Sequence, residues 1–210
     1  MSTHGVRVDH TTTSGTFSLD GGTWDVENNV WVIGNDELCF VIDAPHEAGP
    51  IADLIGDRTL GAVLCTHAHD DHVTVAQELS DRYAAPIYLH PADEVLWRMT
   101  YPDAEFVPLA DGQTLPIGEF DLEVLHTPGH SPGAVSFYAR DLDAVFTGDT
   151  LFQGGPGATG RSYSDFDTIV HSIRTKLLTL PERTEVHTGH GPDTTIGAEA
   201  AGADGWTKPE

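Results

Sequence analysis

Basic side chains are scarce. The 210 residues carry 10 Lys and Arg against 33 Asp and Glu, a formal net charge of -23 at pH 7. A field of that sign repels phosphate backbones and anionic headgroups, so nucleic acid and acidic membrane surfaces are excluded as natural partners, while metal cations are attracted. Cysteine is almost absent. The only two, Cys39 and Cys65, fall in the apolar runs Leu38-Cys39-Phe40-Val41-Ile42 and Val63-Leu64-Cys65 and lack the spacing of a thiolate metal site. They read as small buried hydrophobes. No stretch reaches the ~18 apolar residues of a membrane-spanning helix. The Thr- and Ser-rich start, up to Gly15, lacks the apolar core of a secretory signal, which predicts a cytoplasmic protein. No linker or composition break divides the chain. We expect a single domain over 23–210, preceded by a polar tail or edge strand over 1–22, and long enough to bury about 70% of its unfolded surface.

What is present is concentrated at Thr66-His67-Ala68-His69-Asp70-Asp71-His72. An apolar run, Ala62 to Cys65, precedes it and reads as a buried strand. Ala76, Leu79 and Tyr83 follow at i, i+3 and i+7, one stripe of a helix. The cluster therefore lies at a strand-to-helix turn. Residues two apart on extended backbone point the same way, so His67 and His69 can aim at one point. Asp71 and His72, beyond the bend, can aim at a second point nearby. Neutral imidazole nitrogen and carboxylate oxygen are ligands of zinc and related ions.

Three more apolar runs end alike: Val124-Leu125-His126-Thr127-Pro128-Gly129-His130, Val145-Phe146-Thr147-Gly148-Asp149 and Val186-His187-Thr188-Gly189-His190. Each is a strand, a threonine, then a glycine before His or Asp. Sites in open α/β sheets collect where strands end. If these ends meet, His67, His69, Asp71, His72, His130, Asp149 and His190 share one pocket, enough for two metal ions and a bridging carboxylate.

Along the rest of the chain, Val30 to Ile42 reads as a hairpin turning at Gly34-Asn35-Asp36, and Ile51 to Ile55 as a short helix. Ile87 to Leu89 is a strand, and Pro91 opens a helix to about Met99. Residues 122–125, 134–138 and 142–146 read as strands. Ser164 stands as an N-cap before the amphipathic stripe Phe166, Ile169, Val170, Ile173 and Leu177, and Thr184 to His187 is a last strand. The alternation predicts a layered α/β domain with mixed sheets. Trp24, Trp31, Trp97 and Trp206 read as packing. His4, His10, His46, His90, His126, His171 and His187 have no ligand context, with His126 the one candidate for supporting a ligand. In the loop from Gly154 to Tyr163, Arg161 is a rare cation. It is a candidate to meet a substrate carboxylate and Tyr163 to line the pocket, an ordinary flexible loop being the alternative.

His67-Ala-His69-Asp-Asp71-His72 resembles the H-x-H-x-D-H signature of metallo-β-lactamase-fold hydrolases. Thr127 to Gly133, Phe146 to Phe152 and Thr188 to Gly191 resemble its hydroxyacylglutathione hydrolase (glyoxalase II) branch. The resemblance spans roughly residues 25 to 200. It implies a four-layer αββα sandwich, with His67, His69 and His130 on one metal, Asp71, His72 and His190 on the other, and Asp149 between. It further implies two divalent ions, zinc before iron or manganese, and Asp71 as the catalytic group orienting a water that the ions activate against a small thioester. The basic and tyrosine-bearing helical segment with which glyoxalase II grips glutathione has no counterpart in Ala198 to Glu210, where Lys208 is the one cation. Alternatives of the same resemblance are a persulfide dioxygenase with a single iron on His67, His130 and Asp149, a lactonase or an amidase. A nuclease is disfavoured by charge, and a non-catalytic metal-binding domain is the remaining reading. No oligomeric state is assigned.

Overall fold

Neighbouring residues of the apolar runs go to opposite faces of two sheets, and both faces are covered. The computed structural model describes residues 5–118 and 120–208, so His4 lies outside the described residues. The first sheet runs in chain order: β1 (Arg7–Leu19), β2 (Gly22–Gly34), β3 (Leu38–Ile42), β4 (Thr59–Leu64), β5 (Ile87–Leu89) and β6 (Val107–Pro108). β1 to β3 pair antiparallel, and β3 to β6 parallel. The chain continues through β7 (Thr114–Ile117), β8 (Phe120–His126), β9 (Val135–Ala139), β10 (Ala144–Gly148), the ribbon β11 (Leu151–Phe152) and β12 (Gly155–Pro156), then β13 (Glu185–Thr188) and β14 (Thr194–Thr195). The second sheet has the order β14-β13-β10-β9-β8-β7, with only β10 and β13 parallel.

The strand repeat sorts three cores. Trp31, Ile33, Phe40, Ile42, Ala62 and Leu64 face the second sheet and meet Leu122, Val124, Val135, Phe137 and Phe146. Their neighbours Val30, Val32, Cys39, Val41, Val63 and Cys65 face the other way. They pack under α1 (Ala48–Ile55), α2 (Asp70–Val73), α3 (Ala76–Tyr83) and α4 (Glu94–Thr100), through Ile51, Ile55, Val73, Leu79, Leu96 and Trp97. Leu125, Tyr138, Val145 and Val186 of the second sheet lie under α5 (Phe166–Ser172) and α6 (Ile196–Gly202). The result is the expected αββα sandwich. No helix among the described residues is long and apolar enough to cross a membrane.

Several local expectations are corrected. β1 and β2 form one long hairpin, paired from Arg7↔Gly34 to Leu19↔Gly22, so the second strand starts well before Val30. Leu142 belongs to a 3₁₀ turn and β10 begins at Ala144. The cap of α5 is Asp165, whose carboxylate accepts from Thr168 N at 2.8 Å. Ser164 Oγ serves the preceding loop, accepting from Gly160 N and donating to Arg161 O. After Ser172 the helix widens into a π turn over Ile173–Leu177, keeping both apolar ends of that segment buried.

The two sheets are tied together at one edge. Asn29 N donates to Gly189 O at 2.8 Å, and its amide donates to Thr188 O and Gly191 O. Trp31 Nε1 also donates to Thr188 O, with the Trp31 ring stacked on His10 and tilted against His187. The turn holding His190 is thereby fastened to β2.

Candidate metal centre

Strand ends bring the seven side chains together. His67 and His69 leave β4, Asp71 and His72 sit on α2, His130 lies between β8 and β9, Asp149 follows β10, and His190 follows β13. Three sets have ligand atoms within 4.8 Å of one another: His67, His69 and His130; His67, His72 and Asp149; Asp71, His72 and His190. His69 Nδ1 lies 3.0 Å from both His67 Nε2 and His130 Nε2. His190 Nε2 lies 3.3 Å from His72 Nε2 and from Asp71 Oδ2. Asp149 stands between the sets, Oδ1 3.3 Å from His72 Nε2 and Oδ2 3.5 Å from His130 Nε2 and His190 Nε2. Nitrogens on a tetrahedral ion at about 2.0–2.1 Å are about 3.3 Å apart, so these spacings suit ligand sets.

Hydrogen-bond bookkeeping fixes which nitrogen each ring presents. His130 Nδ1 donates to Ala158 O at 2.8 Å and His190 Nδ1 to Glu27 O at 2.6 Å, because a carbonyl only accepts. His72 Nδ1 donates to the Asp43 carboxylate at 2.8 Å. Thr66 Oγ1 gives its one proton to Asp43 Oδ2, so at 3.1 Å it accepts from His67 Nδ1. All four rings therefore turn Nε2 inward, free to bind a cation once deprotonated, with orientation and basicity set from behind. His69 turns Nδ1 inward instead. Asp149 Oδ1 is buried with no hydrogen-bond partner. A cluster of lone pairs facing an unpartnered carboxylate oxygen calls for cations, and the His and Asp set can hold a dinuclear metal site.

Electrostatics agree. Burial and the neighbouring rings hold His67 well below the usual imidazole range. Burial and His130 take His69 down to about 3. Both are thus kept neutral, the form that binds metal. At the other set burial opposes charge, but Asp149, Asp71 and Asp43 outweigh it at His72 and push it well up. At His190 Asp149 leads in outweighing burial, and the value rises to about 10. Asp71 falls to about 2 against its burial, chiefly through His72. With its acids ionised, this half demands positive charge.

Two glycines make the approach possible. Gly148 has φ +49°, and a Cβ there would overlap the Thr66 hydroxyl. A Cβ on Gly189 would overlap Asp149 Oδ1 and His72 Cε1.

Four supporting residues escape the sequence analysis. Asp43 ends β3 and accepts from Thr66 N, Thr66 Oγ1 and His72. It follows an apolar run as the other site residues do, so its signal was present. Asn28 donates to Asp71 Oδ2 at 3.0 Å and accepts from His46 Nε2 at 2.8 Å. Both Asn28 and His46 look like ordinary polar residues in the sequence. Asp93, fully buried, accepts from Ala68 N, Ser131 Oγ and Gly133 N, joining the loops of His69 and His130. Removing it orphans three buried donors at about 1–3 kcal/mol each. Asp93→Ala is expected to lose about 3 kcal/mol or more in urea unfolding, with Asp93→Asn milder. A loss under about 1 kcal/mol would show that water replaces the carboxylate. His126, the one ring singled out for support, stacks on His90 at 4.0 Å and bonds Pro132 O, away from the ligand atoms.

The site opens into a cleft of about 200 Å³ lined by His69, Asp71, His130, Asp149 and His190 on one side and Phe17, Trp24, Val26, Ala158 and Arg161 on the other. Trp24 lines this cleft, which corrects its reading as packing. Tyr163 is 44% exposed and is not among the cleft-lining residues, so its assignment to the pocket is withdrawn.

A four-layer sandwich with this cluster at its edge has a known family. The profile of the metallo-beta-lactamase superfamily matches residues 23–190, and the chain belongs to that superfamily. Among its relatives, the probable metallo-hydrolase YqgX of Bacillus subtilis is 39% identical over 188 residues, 81% of this chain and 88% of that one. Hydroxyacylglutathione hydrolase GloC of Haemophilus influenzae is 36% identical over 190 residues, 82% of this chain and 90% of that one. Among solved structures, TTHA1623 in a di-iron-bound form superposes with a TM-score of 0.76 at 33% identity, covering 90% of this chain and 96% of that one.

Proposed function

We propose that this chain is a dinuclear metal-dependent hydrolase of small thioesters. The observation that carries the reading is the inward set of five ring nitrogens and two carboxylates at the floor of an open cleft. His67, His69 and His130 would hold one ion, Asp71, His72 and His190 the other, and Asp149 both. When bound, such ions would supply Lewis-acid chemistry, lowering the pKa of a water toward ~7 and polarising a carbonyl oxygen. Asp71, reaching the cleft and anchored by Asn28, would accept a hydrogen bond from the attacking water and fix its direction. The water oxygen bonds the acyl carbon, the C–S bond breaks, and its electron pair leaves on sulfur. A thiol has a pKa of ~8.5, so the leaving group needs no acid from the chain. This suits a cleft with no further acid, and similarity to a hydroxyacylglutathione hydrolase supports the thioester class.

The test is elemental analysis of protein purified without added metal, joined to a thioester assay under nitrogen. Two ions per chain and oxygen-independent hydrolysis are expected. One iron per chain with oxygen uptake on a persulfide would replace this reading with the dioxygenase.

A further inference from the structure

The wall opposite the metal ligands has a construction of its own. Phe17 and Trp24 are direct cross-strand partners near the tip of the β1–β2 hairpin, with ring centroids 5.7 Å apart. Phe17 also packs on His69, centroid to centroid 5.0 Å, so the aromatic wall begins at the metal cluster. Arg161 lies across it, its guanidinium carbon 4.2 Å from the Trp24 ring centroid and 5.3 Å from that of Phe17. The loop bearing Arg161 is pinned to the hairpin tip, Ser162 N donating to Asp20 Oδ2 at 2.9 Å.

Most cations of this acidic chain find a carboxylate: Arg7, Arg58, Arg98, Arg140, Arg174, Lys176 and Arg183 each pair with one. Arg161, like Arg82 and Lys208, makes no ion pair among the described residues, although Asp20 lies near enough to feel its charge. Among the described residues Arg161 is also the only Lys or Arg lining the cleft. A guanidinium over an aromatic face is held by cation–π attraction, which leaves its N–H donors free for other partners. Those donors match a carboxylate in two parallel hydrogen bonds. Aromatic support limits the rotamer freedom lost when the contact forms.

We infer that the cleft selects thioesters bearing a carboxylate near the reacting carbonyl, and that Arg161, laid on Trp24, reads that carboxylate. The inference rests on the hydrolase reading and deepens it. At about 200 Å³ the cleft is smaller than the ~300–1,000 Å³ usual for drug-sized ligands, so the enclosed part of the substrate is short. The acid can stand on either half of the thioester, and both placements give Arg161 the same group.

The experiment compares wild type, Arg161→Gln and Arg161→Lys on three esters: S-acetyl thioglycolate with the acid on the thiol half, the mono-thioester of succinate and ethanethiol with the acid on the acyl half, and neutral S-ethyl thioacetate. Wild type is expected to favour at least one acidic ester over the neutral one by tenfold or more in kcat/KM. Arg161→Gln should abolish that preference through KM, with kcat for the acidic ester within about twofold, and Arg161→Lys should restore part of it. Which acidic ester is favoured says which half lies against Arg161. Calorimetric titration with thioglycolate, succinate and 2-mercaptoethanol provides a readout that needs no turnover. The two acids should bind wild type at least tenfold more tightly than 2-mercaptoethanol, and Arg161→Gln should lose that margin. Equal use of all three esters by wild type, or an Arg161→Gln variant with unchanged preference and unchanged acid binding, overturns the inference while leaving the hydrolase reading intact. Absence of hydrolysis together with Arg161-dependent acid binding overturns the hydrolase reading and leaves the role of Arg161 standing.

Discussion

Asp149→Ala is expected to purify with at most one metal ion per chain and to lose activity by on the order of 10³ or more, the upper end of what one transition-state electrostatic contact costs. The reason is position. Asp149 places Oδ1 at 3.3 Å from His72 Nε2 and Oδ2 at 3.5 Å from His130 and His190, so it belongs to both sets. Burial resists its charge, but His190 and His72 hold its carboxyl well below the usual range. Truncation leaves five rings with one carboxylate. Metal content by mass spectrometry and rate should fall together, while Asp149→Asn keeps the volume and separates packing from charge. A variant with two ions and wild-type turnover would end the assignment of Asp149 as the shared ligand.

Asp71→Asn is the second large effect. We expect a fall in kcat on the order of 10²-fold, the low end for a positioned acid–base group, with far-UV circular dichroism unchanged. The substitution preserves shape but removes the charge that helps draw His190 up to about 10 and that accepts from Asn28 at 3.0 Å. The amide oxygen can still accept from Asn28 Nδ2, so the local packing survives. The separating measurement is kcat at saturating metal. If metal alone restores it, Asp71 is only a ligand and has no part in directing the water.

The cluster from His67 to His72 was legible because strands covered on both faces read as unbroken apolar runs, against which a polar turn stands out. The same contrast exposed His130, Asp149 and His190; the succession of strands and helices carried the layered α/β class, and the four-layer sandwich came from the family resemblance. What stayed hidden depends on partners remote in sequence. Asp93 earns its place from donors 25 to 40 residues away. Asn28 serves residues on α2 and the turn after β13, and nothing in Glu27-Asn28-Asn29 announces it. Trp24 looked like packing because a hairpin tip that leans over a cleft has the same local sequence as one that does not. Ser164 and Asp165 both suit a cap, and only the backbone direction at the loop's end chooses between them.

Cys39 and Cys65 share the helix-facing side of the first sheet, both fully buried, and burial pushes both thiols up. The native chain is therefore silent toward maleimides and iodoacetamides while folded. A single cysteine introduced at the exposed Asp25, close to the hairpin tip, would be the sole site for a fluorophore or spin label, and the tip could be followed against the loop it touches without first removing any thiol.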